Sequence, residues 1–340
     1  MITVLSVIGA EGVGADDITR KTGFEQERVA EILGGLRYRW LITGTGDLYT
    51  LTTGGTLLAT RTHDLAVEFY RAISRDRTRK IPHFFRVIGQ VRNELIRMGE
   101  DGYLEGLDDP VSAEPSIAEW LLGMGLLEVG DGGRQRTPAG EEVLRGLERC
   151  IRIAGVIEEF NAFFEFHSLE GVPEFALESI EDLINAELIC DVPVNFEQRL
   201  EFYLDIIREA EWLHGVSTWS KPAVAATLWD LVIAGKEVEL VITPELAAAL
   251  WQEEVVKKGR DPSLFPNLRF FVSTIPISVG LTVTDTALSF GLFLRDNQTY
   301  DSIHDLVCRT PEAVHWGERL YQHYRAHSVP IMEFFQGGCG

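Results

Sequence analysis

The sequence predicts a multidomain chain that combines α+β and α/β architecture. Three features predict it: the order of helices and a hairpin in the first sixty residues, a weak echo of that order in residues 81–150, and alternating strands and helices from Asp182 onward. With 340 residues the chain has room for two or three separate cores. No apolar run approaches the roughly 20 residues needed to span a bilayer. Residues 1–8 carry neither a basic leader nor a long apolar stretch, so they do not read as a signal peptide. Cys150, Cys190, Cys308 and Cys339 are scattered without metal-ligand spacing, which suits a reducing interior. The expectation is a cytoplasmic protein with no membrane partner.

Residues 3–10 read as a short apolar helix. Ala15-Asp16-Asp17-Ile18-Thr19-Arg20-Lys21-Thr22 reads as a second, stopped by Gly23. A third begins near Glu25, where Val29, Ile32, Leu33 and Leu36 fall at i, i+3, i+4 and i+7 and form one apolar stripe. Trp40-Leu41-Ile42-Thr43 and Leu48-Tyr49-Thr50-Leu51 flank a Gly-rich turn, the pattern of a hairpin. Thr52-Thr53-Gly54-Gly55 then opens another helix. Helix, helix, turn, helix and hairpin is the order of a winged-helix DNA-binding domain, assigned here to residues 1–70.

Residues 71–150 are expected to hold linker helices and a degenerate second copy. Ile117-Ala118-Glu119-Trp120-Leu121-Leu122-Gly123-Met124 through Thr137-Pro138-Ala139-Gly140 echoes the stretch from Val29 to Gly55. Its would-be recognition segment, residues 108–115, is acidic and broken by Pro110 and Pro115, so packing or dimerisation fits it better than DNA contact. From residue 182 strands are expected over 187–192, 212–218, 237–243, 268–273 and 303–308, with a hairpin around Asp285-Thr286. Helices are expected over 196–210, 222–234, 244–258 and 311–326. This alternation makes residues 151–328 one α/β domain with a mixed sheet. Residues 329–340 read as a loose tail.

Phe163-Phe164-Glu165-Phe166-His167-Ser168-Leu169-Glu170-Gly171-Val172-Pro173-Glu174-Phe175 resembles the start of the sensor domain of archaeal filamentation or quorum-response type regulators, a family common in methanogens. The hairpin from Val283 to Phe293 is similar to that family's hairpin. So are Tyr300-Asp301 followed by Asp305-Leu306, and the closing helix around Glu312-Ala313-Val314-His315-Trp316-Gly317. The likeness covers roughly residues 155–328. It implies a transcription factor with an N-terminal winged helix and a C-terminal effector domain, the latter looking like a distant, non-catalytic relative of the phospholipase D fold. The extra degenerate module in front of the sensor departs from the simple family layout.

Net charge is −21, but it is unevenly spread. Residues 1–100 hold 14 Lys and Arg against 12 Asp and Glu, whereas the remaining 240 hold 17 against 40. A near-neutral head with a basic run over residues 71–80 suits contact with phosphate at one end only. Candidate DNA contacts are Gln26 and Arg28 for base edges and Arg20, Lys21, Arg37 and Arg39 for phosphates. Glu25, Glu27 and Glu31 oppose them. Candidate effector contacts, from predicted strand ends and loops, are His167, Tyr203, Trp212, His214, Trp219, Asp285, Ser289 and Tyr300.

No His-x-Lys-x-x-x-x-Asp, Gly-x-Ser-x-Gly or Gly-x-x-x-x-Gly-Lys motif is present, which argues against catalysis, and no cofactor is expected. His323 and His327 share one helix face, read as solvated rather than metal-binding. Cys190 and Cys308 read as small core residues in strands, Cys150 and Cys339 as more exposed thiols. The expected partners are double-stranded DNA, a small-molecule effector and a second copy of the chain. The rival readings are a protein–protein scaffold and a cofactor-dependent enzyme.

Overall fold

The computed structural model describes residues 7–8, 12–38, 41–45, 48–52, 54–56, 58–60, 117–130, 133–190, 196–259, 264–296 and 298–337. Most of the helix expected over 3–10, the basic run at 71–80, the segment 108–115, Arg39 and Cys339 lie outside the described residues. The chain divides into two compact units, Met1–Glu165 and Phe166–Gly340. Among the described residues no helix is long and apolar enough to cross a membrane.

In the first unit, β1 (Val13–Gly14) leads into α1 (Ala15–Thr22), which ends where Gly23 adopts φ +70° and its N–H reaches the Thr19 carbonyl. Glycine, lacking a Cβ, takes that left-handed conformation at no steric cost. Helix α2 (Gln26–Tyr38) buries Val29, Leu33 and Leu36, three positions of the predicted stripe. Strands β2 (Ile42–Thr45) and β3 (Leu48–Leu51) pair antiparallel, and β1 adds to β3, giving a three-stranded sheet ordered β1-β3-β2.

The suspected repeat appears in the hydrogen bonds. Helix α3 (Ile117–Gly123) is followed by the hairpin of β4 (Leu127–Gly130) and β5 (Gly133–Arg136), then by α4 (Pro138–Glu159). Leu41 N–H bonds to Leu36 O and Thr52 N–H to Leu41 O; Leu126 N–H bonds to Leu121 O and Thr137 N–H to Leu126 O. Thr52 Oγ1 accepts from Gly55 N–H and Thr137 Oγ1 from Gly140 N–H, each at 3.1 Å. A Cβ on Gly55 would lie 1.9 Å from Leu41 O, and one on Gly140 2.1 Å from Leu126 O. Every partner in the second set lies a constant 85 residues after its counterpart in the first. The Thr-x-x-Gly signature thus serves as a helix N-cap whose third helical residue must lack a side chain, because the carbonyl of the residue just before the hairpin's first strand passes against it. Helix α4 runs past Cys150 to Glu159.

Helix α5 (Asn161–Phe166) ends at the first residue of the second unit, which continues with α6 (Glu174–Glu178) and a 3-10 turn, Ile180–Leu183. It then alternates β6 (Glu187–Cys190), α7 (Phe196–Glu209), β7 (Trp212–Ser217), α8 (Pro222–Ile233), β8 (Glu237–Ile242) and α9 (Pro244–Leu250). A π-helical turn, Trp251–Lys257, extends α9. There follow β9 (Leu268–Ser273), β10 (Val279–Thr284), β11 (Leu288–Phe293), β12 (Tyr300–Cys308), α10 (Pro311–Ala326), β13 (Ser328–Pro330) and α11 (Ile331–Gly337). Eight strands form one mixed sheet, ordered β13-β9-β8-β7-β10-β11-β12-β6. The β7–β8 and β8–β9 pairs are parallel and the others antiparallel.

Helix α10 packs on one face of this sheet. Its Trp316, fully buried, meets Phe290 edge-on and donates from Nε1 to Ala176 O at 2.8 Å. On the other face, Ile207 of α7 and Leu231 and Val232 of α8 cluster with Leu213, Val238 and Leu268. Residues 329–337, expected as part of a loose tail, are instead docked on the sheet. Val329 pairs with Val272 in the sheet, and Ile331 of α11 is buried against Ile242, Leu246 and Val272. Cys308 is a free, buried thiol in β12, as its strand position predicted.

Candidate functional site

A cavity of about 160 Å³ lies on the sheet face covered by α7, α8 and α9. Side-chain alternation along the strands decides which residues reach it. Leu228 and Trp229 of α8, Leu240 of β8, Leu246 and Trp251 of the α9 segment and Phe270 of β9 form apolar wall. The polar end is built by Tyr203, Thr282, Ser289, Tyr300, Ser302 and Asp305. Tyr203 Oη and Thr282 Oγ1 are 2.7 Å apart, and Tyr300 Oη donates to Asp305 Oδ1 at 3.2 Å. Burial pushes the Tyr203 phenol up to about 12, so it enters any binding event as a neutral hydroxyl.

Two glycines make room for Tyr300. A Cβ on Gly280 or on Gly291 would fall 2.3 Å from Tyr300 Oη. The ring therefore lies over bare backbone of β10 and β11, with Phe293 edge-on at 5.5 Å and Trp219 at 5.9 Å between centroids. Lys221 Nζ stands 5.0 Å from the centre of the Trp219 ring and also lines the cavity. Glu254, buried at the apolar end, is held by Lys258 at 2.8 Å.

Of the eight effector candidates read from the sequence, Tyr203, Trp219, Ser289 and Tyr300 line this cavity. The other four do not. Trp212 and His214 alternate onto the opposite sheet face, because Leu213, Gly215 and Ser217 take the cavity side of β7. There the His214 ring stacks on Tyr321 at 4.6 Å and its Nδ1 lies 2.8 Å from Glu318 Oε2. Burial opposes ionisation of Glu318, but hydrogen bonds from His214 and Gln322 outweigh it and its pKa is lowered. Tyr321 in turn donates to Glu239 Oε2 at 2.6 Å, and Arg269 pairs with Glu239. Asp285 sits in the β10–β11 turn, where its carboxylate accepts the Glu211 N–H at 2.8 Å.

His167 belongs to a separate cluster. Its Nε2 lies 2.8 Å from Asp301 Oδ2, and His304 Nδ1 lies 2.7 Å from the same oxygen. Asp301 Oδ1 accepts the Ile303 N–H at 2.7 Å. Burial raises the Asp301 pKa, but the bonds from His304, the Ile303 amide and His167 outweigh burial, so the net shift is downward. This group is not among the candidates read from the sequence, where His323 and His327 stand as the histidine pair on one helix face. The one local signal was Asp301-x-x-His304; His167 enters from 134 residues away.

In the first unit the candidate DNA contacts are exposed and mostly paired. Arg20 pairs with Asp17, Arg28 with Glu31, and Gln26 Nε2 donates to Asp16 Oδ1 at 3.1 Å. Lys21 and Arg37 are exposed in the last turns of α1 and α2. Exposed pairs of this kind contribute about 0–1 kcal/mol, so a phosphate can replace the carboxylate at little cost.

Residues 196–327 match the family model described as the methanogenesis regulatory protein FilR1, middle domain. No curated protein matches the chain. Among solved structures, the phospholipase D family member Nuc from Salmonella typhimurium is 12% identical, with 43% of this chain and 96% of that chain covered at a TM-score of 0.33. The archaeal chromatin protein TrmBL2, whose structure shows a novel mode of DNA binding, is 13% identical, with 78% and 98% covered at 0.35. NucT from Helicobacter pylori is 15% identical, with 43% and 98% covered at 0.34. TM-scores this low give these likenesses no weight for fold or function.

Proposed function

We propose that the chain is a transcriptional regulator of the archaeal methanogen type, in which the first unit contacts promoter DNA and the cavity of the second unit binds a small effector. The observation that carries this reading is the cavity itself, which is formed mainly by the segment that matches a regulatory protein's middle domain. It has the composition of an effector pocket: an apolar body with a few convergent hydroxyls and one carboxylate at one end. An engineered cavity of about 150 Å³ accepts benzene, so the effector is a compact molecule with an apolar part of about one ring or a short acyl chain. Its polar end meets the hydroxyls of Tyr203, Ser289 and Tyr300.

The first unit supports the DNA half of the reading. Helix α1, a turn, helix α2 and the β2–β3 hairpin stand in the order of a winged helix, with Arg20, Lys21 and Arg37 exposed. A fluorescence anisotropy titration of the full chain on its own promoter tests it. Binding that weakens steeply with salt is expected, and compounds that raise the melting temperature of the protein are expected to change that affinity. Absence of salt-sensitive binding at low ionic strength sinks the regulator reading.

One observation favours a second reading, a protein–protein scaffold. Residues 12–38 hold five carboxylates against four cations, a poor surface for a polyanion. Purification with a stable protein partner and no affinity for DNA supports that alternative.

A further inference from the structure

We propose that His167, Asp301 and His304 form a site for a divalent cation of borderline softness, Zn²⁺ foremost, which clamps the start of the second unit to strand β12. The inference is independent of the regulator reading. Three potential ligand atoms, two imidazole nitrogens and a carboxylate oxygen, lie within 4.8 Å of one another. His167 Nε2 and His304 Nδ1 both approach the same atom, Asp301 Oδ2, at 2.8 and 2.7 Å. Zn²⁺ holds imidazole nitrogen and carboxylate oxygen at about 2.0–2.2 Å, which sets them about 3.3 Å apart around a tetrahedral ion. Opening the present contacts by about 0.5 Å, within reach of small side-chain rotations, makes room for the ion.

The surroundings are built for such a role. His167 is 2% exposed and Asp301 7%, so two of the three ligands are withdrawn from water before any ion arrives. The carboxylate is already oriented, since the Ile303 N–H holds Oδ1 and leaves Oδ2 to the imidazoles. The backbone that carries His167 is tied down on both sides: Ser168 N–H bonds to Phe293 O at 2.8 Å and Arg295 N–H to Phe166 O at 3.1 Å. The His304 side chain, 39% exposed, provides the path by which an ion enters and a water completes the shell. Two nitrogens and one oxygen disfavour Mg²⁺ and Ca²⁺, which take oxygen donors, and match the three-ligand zinc sites that keep one position open.

The consequence is mechanical. Asp301 and His304 share β12 with Tyr300, Ser302 and Asp305 of the cavity. An ion here fixes the strand that carries the cavity's polar end.

Untagged full-length protein, stripped with a chelator, is titrated with Co²⁺ and with Zn²⁺. One equivalent is expected to bind, with the visible absorption of a nitrogen–oxygen Co²⁺ site and a rise in melting temperature on adding Zn²⁺. His304→Ala, at the half-exposed ligand, is expected to weaken binding by about 100-fold or more while leaving the fold intact by circular dichroism. Asp301→Asn is expected to do the same. The double variant His323→Ala/His327→Ala, which removes the imidazole pair at the C-terminal end of α10, is expected to bind as the parent does. Failure of the parent to bind either ion at micromolar concentration overturns the proposal, and so does undiminished binding by His304→Ala.

Discussion

At the scale of single residues, Asp301 shows how one carboxylate can organise a region. It accepts from two imidazoles and a backbone amide while only 7% exposed. Replacing it with Asn removes the charge from those bonds and is expected to cost about 1–3 kcal/mol, read by denaturant unfolding with a chelator present. The pH dependence has a definite sign. Because the folded pKa is lowered, the carboxylate's contribution is complete above its unfolded value of roughly 3.9 and is lost as pH falls through the folded value. The stability gap between parent and Asp301→Asn is therefore expected to shrink once pH falls below the ordinary carboxylate range. A gap that closes well above that range contradicts this account. Gly140 illustrates the opposite economy, in which function of a residue lies in what it lacks. A methyl group there meets Leu126 O at 2.1 Å, and backbone cannot yield as a side-chain tip does. Gly140→Ala is expected to cost about 1–3 kcal/mol in thermal or chemical unfolding.

At the scale of elements, helix α10 carries the second unit's largest buried side chains. Thr310 caps it by accepting the Ala313 N–H at 3.3 Å, Pro311 opens it, and Trp316, Leu320, Tyr321 and Tyr324 form its buried stripe. Trp316→Ala is expected to destabilise by about 3–5 kcal/mol, since it empties a fully buried position and leaves Ala176 O without its indole donor. This helix was legible from sequence to the residue, as was β9, because capping signals, a terminal proline and strand-to-helix changes of period are local properties. The repeat was legible for the same reason: Thr-x-x-Gly recurs because each copy needs the same cap and the same bare crossing. What escaped was set by tertiary contact. Whether His214 faces the cavity or Tyr321 depends on strand parity within an eight-stranded sheet, and a window of sequence fixes that parity only up to a choice of face. The His167–Asp301–His304 group exists only because a segment outside the strands is laid against the end of β11. The π-helical turn at Trp251–Lys257 and the docking of α11 were likewise invisible to periodicity.

At the scale of the whole molecule, the question is how a chain of net charge −21 meets a polyanion. Screening supplies part of the answer. The Debye length is about 8 Å at physiological ionic strength, so acidic groups on distant surfaces add little at the contact, while those on α1 and α2 count in full. The local balance then decides. Each phosphate neutralised by a side chain contributes about −0.9 to the slope of log affinity against log salt. Arg20→Ala, Lys21→Ala and Arg37→Ala are each expected to flatten that slope by about one contact if the side chain meets phosphate, with little change in sequence preference. The carboxylates provide the sharper test, because their effect has the opposite sign on the two readings of α2. Glu25 lies just before that helix and Glu27 within its first turn, both exposed, on the segment that a recognition helix presents to the groove. If α2 enters the groove, Glu25→Gln/Glu27→Gln removes repulsion from nearby phosphates and tightens binding, most strongly at low salt. If the same face docks a basic protein partner, the double variant weakens that complex and leaves DNA affinity unchanged. Anisotropy titrations of parent and double variant at two salt concentrations separate the outcomes, and tightening on DNA is the result expected here.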